Sequence, residues 1–325
     1  MRKTITAILS AMLVLCGLTG CGTGENGAPA ADNGKVKIVA TIFPEYDWVR
    51  NIAGDNADVT LLLDNGADLH SFQPTAEDVL KISDCDIFVY VGGESDEWAE
   101  QALEQAVNKD MQVIDLMDVM GESAKEEEIK EGMQAEPEEE EGGEEAPEYD
   151  EHVWLSVKNA RLFCARITEV LCEKDPQNAQ TYRENLAAYD EKLAALDGKF
   201  TALTEKAAGR TLIFGDRFPF RYLTDDYGLE YYAAFVGCSA ETEASFETIA
   251  FLAGKADELG SKRIYTIDGS DQKIAKAVIN STKTKDMQIA VLDSMQSVTG
   301  VQAENGTDYL SVMQKNYEVL KEDLE

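Results

Sequence analysis

The sequence predicts an α/β fold of two lobes, each a mostly parallel sheet flanked by helices. One long rigid linker helix joins them and leaves a ligand cleft between. Three observations predict this. Short β-branched runs alternate with helix-spaced apolar sets in the first half of the chain, the pattern of a parallel sheet. The same alternation resumes in the second half. Between the halves lies one apolar stripe, Tyr182, Leu186, Tyr189, Leu193, Leu196, Phe200 and Leu203, whose 4-then-3 spacing never slips.

In the first half, Lys35 to Thr41 reads as a strand, and Pro44 precedes a helix carrying Tyr46, Trp48, Val49 and Ile52. Strand Val59 to Leu63 follows, then a loop holding His70. Thr75 and Asp78 have the spacing of a capping box that opens a helix continued by Val79, Leu80 and Ile82. Asp86 to Val91 reads as a buried strand ending in Gly92-Gly93. Trp98, Ala102 and Ala106 mark a helix, and Met111 to Leu116 another strand.

Residues 122–151 break the pattern. They are dense in Glu and Asp, carry Pro137, Pro147 and Gly142-Gly143, and offer only Lys125 and Lys130 as cations. Such a segment buries too little to fold alone and reads as a mobile acidic loop. It is either a solvated insertion or a weak cation collector, since hard cations favour carboxylate oxygens. His152 stands at its base, just before a helix whose apolar face is Val157, Ala160, Cys164, Ile167 and Leu171. Asp175-Pro176 opens the linker helix, which at 1.5 Å per residue would span roughly 45 Å from Pro176 to Lys206.

In the second half, strands are expected at Thr211 to Phe214, Glu230 to Phe235, Arg263 to Ile267 and Gln288 to Leu292. Helices are expected around Phe246 to Leu252, around Ile274 to Ile279 and over Tyr309 to Leu320. The organisation is then residues 1–20 as a signal peptide, 21–34 as a lipidated cysteine and flexible tether, 35–174 as the first lobe, 175–207 as the linker helix and 208–325 as the second lobe.

The extreme N-terminus supports that division. Arg2 and Lys3 precede an apolar run too short to span a bilayer, the pattern of an export signal. The run ends in Leu18-Thr19-Gly20-Cys21, which resembles a bacterial lipobox and implies acylation of Cys21. Of the remaining cysteines, Cys164 and Cys172 would lie about 12 Å apart along one helix, beyond disulfide reach. Buried free thiols are the default reading for Cys85, Cys164, Cys172 and Cys238. The formal charge of −33 across 325 residues excludes nucleic acid as a partner, because phosphate binding rests on Lys and Arg.

Chemistry concentrates in few residues. The chain has two histidines, His70 and His152. Imidazole is the commonest side-chain metal ligand, although a lone loop histidine is as often merely structural. Ligands of open α/β sheets sit at the carboxyl ends of strands, and His70, Asp216, Cys238 and Asp268 all follow such ends.

With these residues in hand, the chain resembles the zinc/manganese substrate-binding lipoproteins of bacterial ABC importers. The resemblance is carried by Ile42-Phe43-Pro44 with Gly54-Asp55, by Gly66-Ala67-Asp68-Leu69-His70 with Pro74, and by His152-Val153-Trp154-Leu155-Ser156. Asp175-Pro176-Gln177-Asn178-Ala179 with Tyr182, and Tyr222 with Tyr227-Gly228-Leu229, extend it over the mature chain. It implies a monomeric, lipid-anchored extracytoplasmic receptor, not an enzyme, that binds Zn²⁺ or Mn²⁺ as cargo and delivers it to an ABC transporter permease. It implies metal ligation by His70, His152 and Asp268. The family's remaining ligand position falls on Arg217, which has no lone pair to give. Three protein ligands plus water, substitution by Asp216 or Cys238, or an Arg217–carboxylate pair beside a bound chelate all remain open. Binding needs neutral imidazole, so affinity should fall below about pH 6.5. A zinc hydrolase lacks support, since H-E-x-x-H is absent and no general base accompanies the histidines. A cell-adhesion lipoprotein with a vestigial cleft is the other alternative.

Overall fold

A computed structural model describes residues 34–134, 148–207, 211–239 and 243–325. The expected signal peptide, Cys21, most of the expected tether and the centre of the acidic segment lie outside the described residues.

The first sheet holds β1 (Val36–Ala40), β2 (Ala57–Leu61), β3 (Ile87–Tyr90) and β4 (Gln112–Asp115), in the order β2-β1-β3-β4 and parallel throughout. The second holds β5 (Thr211–Phe218), β6 (Glu230–Val236), β7 (Arg263–Ile267) and β8 (Gln288–Leu292), in the equivalent order β6-β5-β7-β8, again parallel. The eight runs expected as strands are thus the eight strands of the described residues. They were readable because a sheet covered on both faces buries nearly every side chain, as in β3.

The helices of the first lobe are α1 (Phe43–Ala53), α2 (Ala76–Asp84), α3 (Trp98–Glu104), α4 (Leu116–Met120) and α5 (Val157–Lys174). Thr75 and Asp78 form the expected capping box on α2: the Thr75 hydroxyl accepts from Asp78 N, and the Asp78 carboxylate accepts from Thr75 N at 3.0 Å. On that helix only the Ile82 end of the apolar set is buried, and Leu80 is exposed.

α6 (Ala179–Thr204) is the linker. It starts later than expected, because residues 175–178 form a capping turn. The Asp175 carboxylate there accepts from Asn178 Nδ2 and Tyr182 Oη, each at 2.7 Å. The helix of 26 residues is therefore about 39 Å long, shorter than the sequence suggested. Six of its seven stripe residues are buried, Leu186 less so. Its first half packs on the first lobe, where Tyr189 Oη donates to Asp47 at 3.2 Å and Asn185 Nδ2 to Ile52 O at 2.8 Å. Its second half meets α7 (Arg221–Tyr227) and α11 (Tyr309–Leu324). There Phe200 stacks on Tyr227 at 4.9 Å and meets Tyr317 edge-on. The helix is one seam shared by both lobes, so the heptad pattern marks an intramolecular contact and no coiled coil is needed to bury it. The second lobe is completed by α8 (Phe246–Leu259), α9 (Lys273–Ser281) and α10 (Gly300–Glu304).

The described flanks of the acidic segment are docked, which corrects the picture of a wholly mobile loop. Glu127 N donates to Glu148 O and Asp150 N to Lys125 O, each at 2.8 Å, closing a short antiparallel base. The segment's two cations fasten this base to the second lobe: Lys125 pairs with Asp225 at 2.8 Å, and Lys130 pairs with Glu230 and lies over the Tyr231 ring.

One buried carboxyl stands out in the first lobe. Glu45 Oε2 accepts from Thr41 N, Thr41 Oγ1 and Ile42 N at 2.9 to 3.2 Å, while Oε1 is buried with no partner. Burial, reinforced by Asp96, pushes its pKa from the ordinary 4.5 up to about 8. The folded state thus holds a proton between those values that the unfolded chain releases, and stability falls as pH rises through that window. Urea unfolding from pH 5 to 9 is expected to show this decline, and Glu45→Gln to flatten it; equal slopes would refute the assignment. Separately, Phe200→Ala is expected to cost about 3–5 kcal/mol in the same assay with an unchanged m-value, because it empties a fully buried ring site.

Candidate metal centre

The His70 loop is shaped by its neighbours. Asp68 caps the single turn at 69–71 by accepting from His70 N at 3.1 Å, and Leu69 anchors it in the core. Gly66 has φ +76°, and a Cβ there would come within 3.1 Å of Ser297 O from the second lobe. Glycine is what lets the two lobes approach at this point.

His152 is fully buried at the foot of the acidic base. Asp150 Oδ1 accepts from both His152 N at 2.9 Å and His152 Nδ1 at 3.0 Å. His70 Nδ1 lies 2.7 Å from Ser95 Oγ, and Glu151 Oε1 accepts from Ser95 N at 3.0 Å. The Asp150 carboxylate, an acceptor, assigns the Nδ1–H tautomer to His152, and the Ser95 hydroxyl holds His70 at the same ring position. Those two Nε2 atoms face each other at 3.2 Å.

Gln296, on the segment after β8, fills the space between them. Its Nε2 lies 2.8 Å from His152 Nε2 and 3.3 Å from His70 Nε2, so one amide group donates to both rings. Its Oε1 accepts from Arg217 Nη2 at 3.3 Å. Burial and the neighbouring His152 ring pull the His70 pKa well below its ordinary value.

The second lobe supplies the facing wall. Arg217, where the resemblance expected a ligand, forms an ion pair with Asp68. Burial alone would raise the Asp68 carboxyl, but the guanidinium overrides it and the net shift is downward. Asp216 turns back to accept from Ile267 N at 3.4 Å, and burial raises its pKa. Asp268 Oδ1 accepts from Ser294 N at 2.6 Å and Ser294 Oγ at 2.7 Å, and its Oδ2 accepts from Ser297 Oγ. It shares with His70, Arg217 and Gln296 the wall of a cleft of about 550 Å³.

Among the described residues, His70, His152 and Cys238 bring one donor atom each within 4.8 Å of one another. Asp268 and Asp216 stand outside that group. Cys238 follows β6, and Gly237 before it has no Cβ, which would otherwise lie 2.8 Å from His152 Cε1. Cys238 is half-buried, and burial together with Glu127, Asp150 and Glu151 keeps its thiol protonated well above the usual range. Two imidazoles converging with a sulfur form a donor set suited to a borderline-soft cation.

Sequence reasoning missed Gln296, Ser95 and Asp150. Gln296 had a signal: it follows a strand's carboxyl end, the same rule that singled out Asp268.

The profile of the zinc-uptake complex component A, periplasmic (ZnuA), matches residues 38–323. The zinc-binding protein AdcA of Streptococcus pyogenes is 30% identical over 294 residues, covering 89% of this chain but 56% of its own length. The chain thus spans little more than half of that streptococcal relative. The high-affinity zinc uptake system protein ZnuA of Bacillus subtilis is 28% identical over 94% of this chain and 92% of its own. Among solved structures, the Zn(II)-bound ZnuA-like domain of Streptococcus pneumoniae AdcA aligns with TM-score 0.70 and 30% identity, covering 90% of this chain and 99% of that one. The lipoprotein YcdH of Bacillus subtilis aligns with TM-score 0.72 and 26% identity, covering 89% and 99%. The paired parallel sheets, the linker helix and the matched span together place this chain in the ZnuA family of zinc-uptake substrate-binding components.

Proposed function

We propose that this chain is an extracytoplasmic receptor that binds one zinc ion between its lobes and delivers it to an ABC permease. Lipid on Cys21 would hold it at the cell membrane, and it works as a monomer. The observation that carries the reading is the pair of Nε2 atoms, 3.2 Å apart, of which His70 lines the interlobe cleft and His152 is buried behind it. Each ring is oriented from behind by a hydrogen-bond partner at Nδ1, the usual outer-shell support of a metal-bound histidine.

His70 and His152 are the imidazole donors in this reading. Asp268 is the carboxylate donor from the second lobe, held beside the cleft by the Ser294 and Ser297 hydroxyls until an ion draws it in. Manganese is the alternative cargo, since two imidazoles and a carboxylate serve either ion. Arg217 could recruit an anionic chelate only by leaving Asp68, and the ion pair argues for a bare cation. The zinc-bound state of the pneumococcal domain, on the same fold, supports this choice.

Isothermal titration of the purified, metal-stripped chain is expected to show one Zn²⁺ per chain. His70→Ala and His152→Ala should each abolish tight binding. Binding that stays stoichiometric and tight in His70→Ala would remove the site assignment. Asp150→Ala should leave the fold intact and weaken zinc by about 10- to 100-fold, because it frees the His152 ring to rotate and change tautomer. An unchanged affinity there would mean Asp150 does not position the ring.

A further inference from the structure

Resting on that reading, we infer that Cys238 is a further protein donor beside His70, His152 and Asp268, which makes the site a His/His/Cys/Asp centre biased toward thiophilic cations. The convergence of one ring nitrogen each of His70 and His152 with Cys238 Sγ, all within 4.8 Å of one another, carries it. Zinc bonds of about 2.0–2.1 Å to nitrogen and 2.3 Å to sulfur place donors of a tetrahedral centre some 3.3–3.7 Å apart. The imidazole pair, at 3.2 Å, already has that spacing. The sulfur, within 4.8 Å of a nitrogen of each ring, closes the remaining gap by moving inward with the segment after β6.

Three further observations favour a ligand over an inert thiol. First, Cys238 is not built like the chain's structural cysteines. Cys85 and Cys164 are members of the main apolar core, whereas Cys238 belongs to neither apolar cluster of the described residues. Its surroundings are polar: Glu127 Oε1 accepts from its backbone N at 3.4 Å, and Asp150 and Glu151 lie near. Second, the backbone is cut away to let it in. Any side chain at Gly237 would collide with the His152 ring, so glycine permits the close pass of β6's end. Third, the position that would otherwise supply a donor is closed off. Arg217 has no lone pair and is bound to Asp68 and Gln296.

Coordination would exchange the thiol proton for the ion: the S–H bond breaks, a metal–sulfur bond forms, and the proton passes to solvent. The Gln296 amide must leave the two Nε2 lone pairs in the same event. A thiolate in the set favours zinc over manganese, because manganese prefers oxygen donors.

Cobalt(II) serves as the probe, since a thiolate ligand gives it an intense near-ultraviolet charge-transfer band that nitrogen and oxygen donors do not. The purified chain should bind one Co²⁺ with that band. Cys238→Ser should still bind Co²⁺ but lose the band, with zinc affinity reduced at least about 10-fold and manganese affinity little changed. Cys238→His should recover zinc affinity without the band. If the wild-type chain binds Co²⁺ without a thiolate band and Cys238→Ser binds zinc as well as wild type, Cys238 is not a ligand while the receptor reading stands. If the wild-type chain binds neither ion, both fail.

Discussion

Everything in the cleft depends on how one segment, Asp150 to Ser156, is gripped by the second lobe. Trp154 is fully buried, and its indole Nε1 donates to Ser294 O at 2.9 Å. Tyr309 Oη returns the contact by donating to Trp154 O at 2.8 Å, and Tyr222 Oη donates to Asp150 O at 2.9 Å. A buried tryptophan and two buried tyrosines with satisfied polar ends are rigid, because moving any of them strands a donor in an apolar core. The segment belongs to the first lobe by sequence and to the interface by contact. His152 is placed by this grip, and the position of His70 relative to it then follows from the Ser95–Glu151 link. Linker helix α6 sets the approach of the lobes, and this segment fixes the final ångströms.

The fold was legible in the sequence because its determinants are local and repetitive. Eight strands announce themselves as β-branched runs, and the linker helix as a stripe whose period matches a helix buried along one side. The helix start was misplaced because Asp175 and Asn178 prefer to bond the nearby backbone and side chains in a turn, a competition that apolar periodicity does not register. Leu80 and Phe246 lie on the helices expected there yet are exposed, because period alone cannot tell a buried apolar residue from an exposed one at the edge of the stripe.

The site was legible only in part. The histidines declared themselves by scarcity and Asp268 by its place after a strand. Arg217 marked a departure, but its partner, Asp68, is 149 residues away in sequence and only folding joins them. Gln296 and Cys238 gave weak signals, since an amide after a strand or a small thiol beside a glycine is common in loops. What distinguishes them is convergence, a property of the three-dimensional arrangement. The acidic segment is a similar case. Its composition reads as solvated, yet its base is stitched to the second lobe and brings Glu127 to Cys238.

The Gln296 bridge bears on how such a cleft could discriminate. Both Nε2 atoms already have a partner in Gln296, so on the proposed reading an arriving ion would enter by exchange and its affinity would be a difference between two bonded states. Weakly nitrogen-seeking ions such as calcium and magnesium gain too little to displace an amide donor, however abundant they are. An internal side chain of this kind acts as a threshold. It would set a minimum bond strength for admission, and it gives both Nε2 atoms a partner, that of the buried His152 included.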